Sequence, residues 1–343
     1  MKALVLEEYG RLVVADVPDP VPGRGEVLVR VRACGICGSD AHGMDGSTGR
    51  RRPPLIMGHE AAGEVVATGP SAGSWKRGDR VALDSTVFCG DCWHCHRGEV
   101  NLCEQRRVLG VSCAEYRRDG AFAEYVAVPE RILHRIPDAV TFEQASMAET
   151  LAVAVHAVSR APAVAESSAL VVGAGMVGLL VIQVLRASGC RKVIAVDIDG
   201  GRLELARKFG AAATIDPSSR PPAAAVIELT GGRGADLSFE VVGRSDTLGT
   251  AIDSVRKGGH VVLVGNLAAS VDLPLQSVVT RQLTLAGSCA SSGEYPRSLE
   301  LIASGAVDVS ALVSAVAPLA DGAAWFGRLH AREKGLTKVL LKP

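Results

Sequence analysis

The 343-residue chain has no excess of charge: 37 Lys and Arg are matched by 37 Asp and Glu. A nucleic-acid binder needs a positive face against the phosphates, so this balance argues against nucleic acid as a partner. Basic clusters stand at 49–53 (GRRRP) and 116–120 (YRRDG), each beside glycine or proline. They read as solvated loops, with an anionic substrate as the alternative. No apolar run is long enough to span a bilayer; the longest, around MVGLLVIQVL, is broken by Gly and Gln. The opening MKALVLEEYG has a four-residue apolar run, too short for a secretory leader and suited to a first strand. The expectation is a soluble, cytoplasmic protein without a membrane partner. A disulfide framework is also missing: nine cysteines is an odd number, and without a leader metal binding is the better use for them. There is no simple repeat and no low-complexity segment. What remains is a globular composition, 48% hydrophobic and 22% charged, long enough for two cored domains.

Residues 1–150 hold short runs rich in Val with Gly and Pro punctuation: EVLVRVRAC at 26–34, AAGEVVATG at 61–69, AFAEYVAVP at 121–129. These read as strands joined by turns. From 169 the pattern changes to apolar strand, glycine turn, helix and a second strand ending in Asp197, with further buried strands at 235–243, 259–266 and 283–288. Buried strands alternating with helices predict an α/β fold with a doubly wound parallel sheet. The tail from about 287 is too small to fold alone and is expected to pack back on the first domain. The expected domains are 1–150 with 287–343, mostly β, and 151–286, built on the parallel sheet.

Gly173, Gly175 and Gly178 form GxGxxG after a strand and at the start of a helix, with Val177 inside the motif. Gly173 permits the tight turn, Gly175 lets backbone approach a pyrophosphate, and Gly178 lets helix and strand pack closely. The pyrophosphate would meet the positive end of the helix. A glycine turn that serves packing alone is the alternative. Asp197 can accept from a ribose hydroxyl and repels a 2′-phosphate, so NAD is favoured over NADP. Arg202 is expected to face the adenine ribose or solvent. Gly265 and Asn266, closing GHVVLVGN, complete the cofactor candidates.

Cys89, Cys92, Cys95 and Cys103 in CGDCWHCHRGEVNLC have the spacing of a closed, structural tetrahedral zinc site. An iron–sulfur cluster also takes four cysteines, but no second quartet accompanies this one. His94 and His96 between them read as exposed loop residues. ACGICGSDAHG at 33–43 carries a second pair, Cys34 and Cys37. It admits three readings: a redox pair, a metal site, or two small core residues. A redox pair would want a helix directly after it, and GSDAHG is a poor helix start. Chemistry needs a metal with an open position, for which Cys37, His59, Glu60 and Glu149 are candidate ligands. Adjacent His59 and Glu60 could serve one ion only where the backbone turns, and Gly58 offers that freedom. A buried histidine beside a capping glutamate is the competing reading.

CGICGSDAH, GHEAAGEVVATG, GDRVAL, the quartet, GAFAEYVAVP, AETLAVAVHA, VVGAGMVGLL, FEVVG and GGHVVLVG occur in an order that resembles the zinc-dependent medium-chain alcohol dehydrogenases, in the sorbitol (polyol) and threonine dehydrogenase branch, over essentially the full length. The resemblance implies a Rossmann nucleotide domain beside a discontinuous GroES-like catalytic domain, NAD, and two zinc ions per subunit. Cys37, His59 and Glu60 would bind the catalytic zinc, with Glu149 a fourth ligand or a neighbour that exchanges with water or substrate. Cys34 has no role in that pattern. Ser39 and His42 match the proton relay, and Asp40 between them reads as orienting a ligand. The activity implied is oxidation of a secondary alcohol, a polyol or sugar alcohol, to the ketone. L-threonine or a vicinal diol is the alternative within the fold, and a non-enzymatic NAD-binding protein the alternative outside it. A homodimer or homotetramer is expected by analogy. Two departures stand out: Thr150 replaces a proline, and Ala290 and Ser291 stand where sorbitol-type enzymes carry an arginine and an aromatic residue. The first bears on local rigidity beside Glu149; the second argues against sorbitol itself and leaves room for another sugar alcohol, a cyclitol, a sugar-alcohol phosphate or a less polar secondary alcohol.

Overall fold

The computed structural model describes residues 1–112 and 117–343, so Tyr116 of the basic stretch at 116–120 lies outside the described residues. The chain divides into two compact units, Met1–Glu149 with Ser291–Pro343, and Thr150–Ala290.

The second unit is built on six parallel strands: Ser168–Val172, Lys192–Val196, Ala213–Ile215, Ala235–Glu240, Val255–Leu263 and Thr284–Gly287. In space they run third, second, first, fourth, fifth, sixth. The chain winds away on one side of the first strand, then returns to wind on the other. That reversal opens a crevice at the carboxyl ends of the first and fourth strands, where such sheets bind ligands. SALVV is buried along its whole length, as a parallel strand covered on both faces must be. Leu170, Ile194, Val226, Ile252 and Val261 share one core. The doubly wound sheet expected from the sequence is present. Its fifth strand starts earlier than the apolar run GHVVLVGN suggests, because Val255 already pairs with Ala235 across an irregular register.

The first unit centres on the strand Glu26–Gly35, which pairs antiparallel with Glu60–Thr68, with Tyr125–Pro129 and with the C-terminal strand Lys338–Lys342. Its core collects Leu4, Val29, Val65, Phe122, Phe326 and Leu341. The run AFAEYVAVP forms a strand only over Tyr125–Pro129. Its first residues do something else: the amides of Ala121 and Phe122 donate to the carbonyls of Gly58 and Met57 at 2.8 and 3.0 Å, clamping the turn before His59. Gly58 has φ +96°, and a Cβ there would lie 2.8 Å from the Phe122 nitrogen, so both conformation and space require glycine.

In the same unit His134 stacks on the buried Tyr295, with ring centroids 4.8 Å apart. Burial pushes the His134 imidazole down to about 4. The unfolded chain protonates it below about 6.5 while the fold holds it neutral, so its contribution is complete above about 6.5 and is lost as pH falls toward 4. The expected size is about 1–3 kcal/mol. Denaturant midpoints from pH 4 to 7 should therefore fall less steeply for His134→Gln than for the parent; identical slopes would contradict this.

Candidate metal and nucleotide sites

The glycine turn joins the first strand of the parallel sheet to the helix Met176–Ala187, with Gly175 at its N-cap. Each glycine has its own reason. Gly173 sits at φ +98°, and a Cβ there would meet Val242 Cγ2 at 2.5 Å. A Cβ on Gly175 would meet nothing within 4 Å, which leaves the approach to the helix N-terminus open. A Cβ on Gly178 would overlap the Gly173 carbonyl oxygen. Val177 is partly exposed in the first turn. Gly178→Ala should force helix and turn apart and weaken NAD binding about tenfold or more, in line with the 1–3 kcal/mol of overpacking. Fluorescence titration reads this, and an unchanged Kd would contradict it.

Asp197 directly follows the second strand and is 8% exposed. Its Oδ2 accepts from the Ala174 amide at 2.7 Å and its Oδ1 from the Asp199 amide at 2.9 Å, tying the strand end to the glycine turn. A carboxylate has about four acceptor positions, so two remain for ribose hydroxyls. Arg202 is half exposed, 4.0 Å from Asp197 Oδ2. Gly265 packs against Gly243 and Val242, next to Gly173. Asn266 follows it in the same loop, its amide close to Gly243. Glu240, buried at the end of the fourth strand, accepts from the amides of Val242 and Gly243 at 2.9 and 2.8 Å and shapes this loop.

The four cysteines 89, 92, 95 and 103 converge, with Sγ atoms within 4.8 Å of one another. Individual separations are 3.9 Å for Cys89–Cys95, 3.5 Å for Cys92–Cys95 and 3.6 Å for Cys103–Cys89. Four sulfurs about 2.3 Å from a tetrahedral zinc stand about 3.8 Å apart, so the set fits that ion. Amides aim at the sulfurs as thiolates require: Asp91 N–H at Cys89, and the Cys89 and Gln105 N–H groups at Cys103, at 3.3–3.4 Å. His94 and His96 face Glu99 and Asp91 instead, at 3.0 and 3.4 Å.

Cys37, His59 and Glu60 form the other cluster, again with ligand atoms within 4.8 Å of one another. Thiolate, imidazole and carboxylate suit zinc. Cys37 caps a six-residue helix, Gly38–Gly43, that intrinsic propensity alone did not predict. Tertiary contacts supply it: Arg51 grips Asp40, and the His330 ring meets the Ala41 carbonyl at 3.0 Å. The helix places Ser39 and His42 three residues apart, on one face; Ser39 is exposed and His42 half-buried. Cys34, three residues before Cys37, is fully buried, and burial pushes its thiol well above the ordinary range, so it is no redox thiolate.

His59 is buried, with Nδ1 3.4 Å from Asp40 Oδ2. Neither atom has a hydrogen-bond partner among the described residues. An imidazole whose Nδ1 faces a carboxylate keeps Nε2 for a metal, as ligand histidines do. Glu60 is held by a residue that the sequence reading missed: Lys338 Nζ donates to its two oxygens at 2.7 and 2.6 Å. Lys338 is 2% exposed and also donates to the Ile36 carbonyl at 3.3 Å. Burial pulls its ammonium down, but Glu60 and Cys37 outweigh that and leave it raised. A lysine opening the apolar run KVLL was the one available sign.

Glu149 lies outside the 4.8 Å set. Its Oε1 accepts from Ser85 Oγ at 3.0 Å, and the Ser85 amide donates to Tyr295 Oη at 3.2 Å. Burial raises the Glu149 carboxyl, against the pull of His59. Ser85 and Tyr295 were not among the expected site residues; nothing in their local sequence marks them.

Two family models match the chain, the alcohol dehydrogenase GroES-like domain over residues 23–138 and the zinc-binding dehydrogenase over 176–304. Sorbitol dehydrogenase of Bacillus subtilis is 34% identical over 319 residues, 92% of this chain and 89% of the relative. L-threonine 3-dehydrogenase of Symbiobacterium thermophilum is 38% identical over 292 residues, 84% of this chain and 82% of the relative. The crystal structure of 2R,3R-butanediol dehydrogenase from Bacillus subtilis superposes with TM-score 0.90 at 32% identity, covering 100% of this chain and 99% of that one. With a converging zinc-type ligand set, a cysteine quartet and a dinucleotide turn already in place, these matches mean that the chain belongs to the zinc-binding alcohol dehydrogenases with a GroES-like domain.

Proposed function

We propose that the protein oxidises a secondary alcohol, a polyol or sugar alcohol, to the ketone, with NAD as hydride acceptor and two zinc ions per subunit. The observation that carries this reading is the gathering of Cys37, His59 and Glu60 beside the helix that bears Ser39 and His42. Cys37, His59 and Glu60 would hold a zinc ion, which would supply Lewis-acid polarisation of the substrate hydroxyl. The hydroxyl proton needs a way to water, and Ser39 and His42 on one helical face suit that relay. Glu149, steadied by Ser85, stands as the carboxylate that exchanges with water or substrate. The quartet would hold the second zinc as a closed site without catalytic work. Asp197, with acceptor capacity left for ribose hydroxyls, supports NAD over NADP.

The names of the relatives support a polyol first and L-threonine or a vicinal diol second. Ala290 and Ser291 lack the charge and ring of sorbitol-type enzymes, which favours a sugar alcohol other than sorbitol. Assembly as a homodimer or homotetramer is supported by Thr284–Gly287, an edge strand with one side unpaired among the described residues, and by exposed Leu275 and Val279 in the helix before it. No helix among the described residues is long and apolar enough to cross a membrane. The eight described cysteines are all free, which supports a reducing compartment, the cytoplasm.

The test is NADH formation by the zinc-loaded protein on a panel of polyols, cyclitols, polyol phosphates, diols and L-threonine, with NADP in parallel. A signal confined to polyols or their relatives, with NAD preferred, supports the reading. A signal with L-threonine alone, or with NADP alone, would overturn its substrate or its cofactor.

A further inference from the structure

Of the three arginines in GRRRP, Arg50 and Arg52 are exposed while Arg51 is 4% exposed. The backbone on either side is pinned: Ser112 N–H donates to the Arg50 carbonyl at 3.2 Å, and Ser112 Oγ accepts from the Arg52 amide at 2.6 Å. The Arg51 stem then crosses the end of the helix Gly38–Gly43, where a Cβ on Gly43 would lie 2.6 Å from Arg51 Cγ. Gly43 therefore leaves room for this arginine. Arg51 Nε and Nη2 both donate to Asp40 Oδ1, at 3.0 and 2.8 Å, and Nη2 also reaches Ser39 Oγ at 3.3 Å. Asp40 is fully buried, and its other oxygen is the one that faces His59 Nδ1.

We infer that Arg51 is a positioning residue for alcohol oxidation, setting the His59 imidazole through Asp40 and the Ser39 hydroxyl directly. The inference rests on the reading of His59 as a metal ligand and Ser39 as a proton relay. With Oδ1 engaged by two N–H groups, Oδ2 is left 3.4 Å from His59 Nδ1, where its charge favours a proton on Nδ1 and leaves Nε2 as the ligand atom. An N–H on Ser39 Oγ fills one lone pair and turns the hydroxyl proton away from Arg51. Both effects need a planar fork with several donors. Lysine keeps the charge but is a single point and cannot span Asp40 and Ser39 together.

The experiment compares Arg51→Lys, Ser39→Ala and their combination with the parent, reading kcat and KM, retention of zinc against a chelator, and NAD affinity. Arg51→Lys should lower kcat and catalytic-zinc affinity about 10- to 100-fold, the usual cost of losing a partner behind a ligand. KM for NAD and the quartet's zinc should not move. Losses at Arg51 and Ser39 should combine to less than their product, as expected for coupled neighbours. Gly43→Ala, which leaves every charged group in place and displaces chiefly the Arg51 stem, with a lesser push on Thr48 Oγ1, should reproduce the kcat loss if Arg51→Lys does not fold. Parent-like kcat and zinc retention in the folded variants would overturn the inference, as would losses that multiply fully. Cys37→Ala in the same series separates the two ideas. If it is inactive while Arg51→Lys is parent-like, only the role of Arg51 fails; if it is fully active, the metal reading fails and this inference with it.

Discussion

Cys37→Ala will bind one zinc ion per subunit where the parent binds two, and will lose nearly all turnover of alcohol. Cys37 is the only thiol in the cluster with His59 and Glu60, and it sits at the N-cap of the helix that carries Ser39 and His42. Alanine removes a thiolate without adding bulk, so the helix itself should persist. Two ligands remain, too few for a zinc site of this type. Lewis-acid stabilisation is worth several kcal/mol, so the loss in kcat should be about a thousandfold or more. NAD affinity should stay the same, because the glycine turn and Asp197 belong wholly to Thr150–Ala290. The quartet is a separate closed set and should keep its metal. Metal analysis, isothermal titration with NAD and steady-state kinetics check the three parts independently. Parent-like turnover with two zinc ions bound would contradict the assignment of Cys37.

Lys338→Met will destabilise the metal-free protein by about 3–5 kcal/mol, the usual cost of removing one partner from a buried ion pair. Glu60 and Lys338 are both buried and meet through two short contacts. Methionine fills most of the space but leaves the carboxylate without its counter-charge. Adding Glu60→Gln to Lys338→Met should recover much of that stability, since the charge that needed compensation is gone. Turnover should not recover, because Glu60 is also a proposed ligand. Zinc should narrow the gap between Lys338→Met and the parent by supplying positive charge beside Glu60. Urea midpoints with and without zinc read both effects. Equal midpoints for parent and Lys338→Met would show that the pair contributes nothing to the fold.

The parts of this protein legible in its sequence are those written locally. GxGxxG followed by an Asp one strand later, and four cysteines within fifteen residues, bring their groups together through short-range geometry, and the structure shows both clusters closed. The parallel sheet was legible because strands buried on both faces leave unbroken apolar runs such as SALVV. Cys37, His59 and Glu60 were legible only as candidates, since spacing did not say that the turn at Gly58 would bring them against Cys37. Lys338 and Glu60 are 278 residues apart, and no periodicity links them. Arg51 was hidden differently: in GRRRP its neighbours face solvent, and nothing in the string tells the buried arginine from the two exposed ones. The helix Gly38–Gly43 was missed because its residues are weak helix formers, and Arg51 and His330 hold it from outside.

The most direct test of the account is staged removal of zinc from the wild-type enzyme while NADH formation is followed. The set of three residues, Cys37, His59 and Glu60, offers fewer ligands and should lose its ion first, and the Cys89–Cys92–Cys95–Cys103 quartet last. The account predicts that activity falls in step with the first zinc ion removed per subunit, with NAD binding retained, and returns when zinc is added back. Full activity after that first ion has left, with only the quartet still loaded, would contradict it.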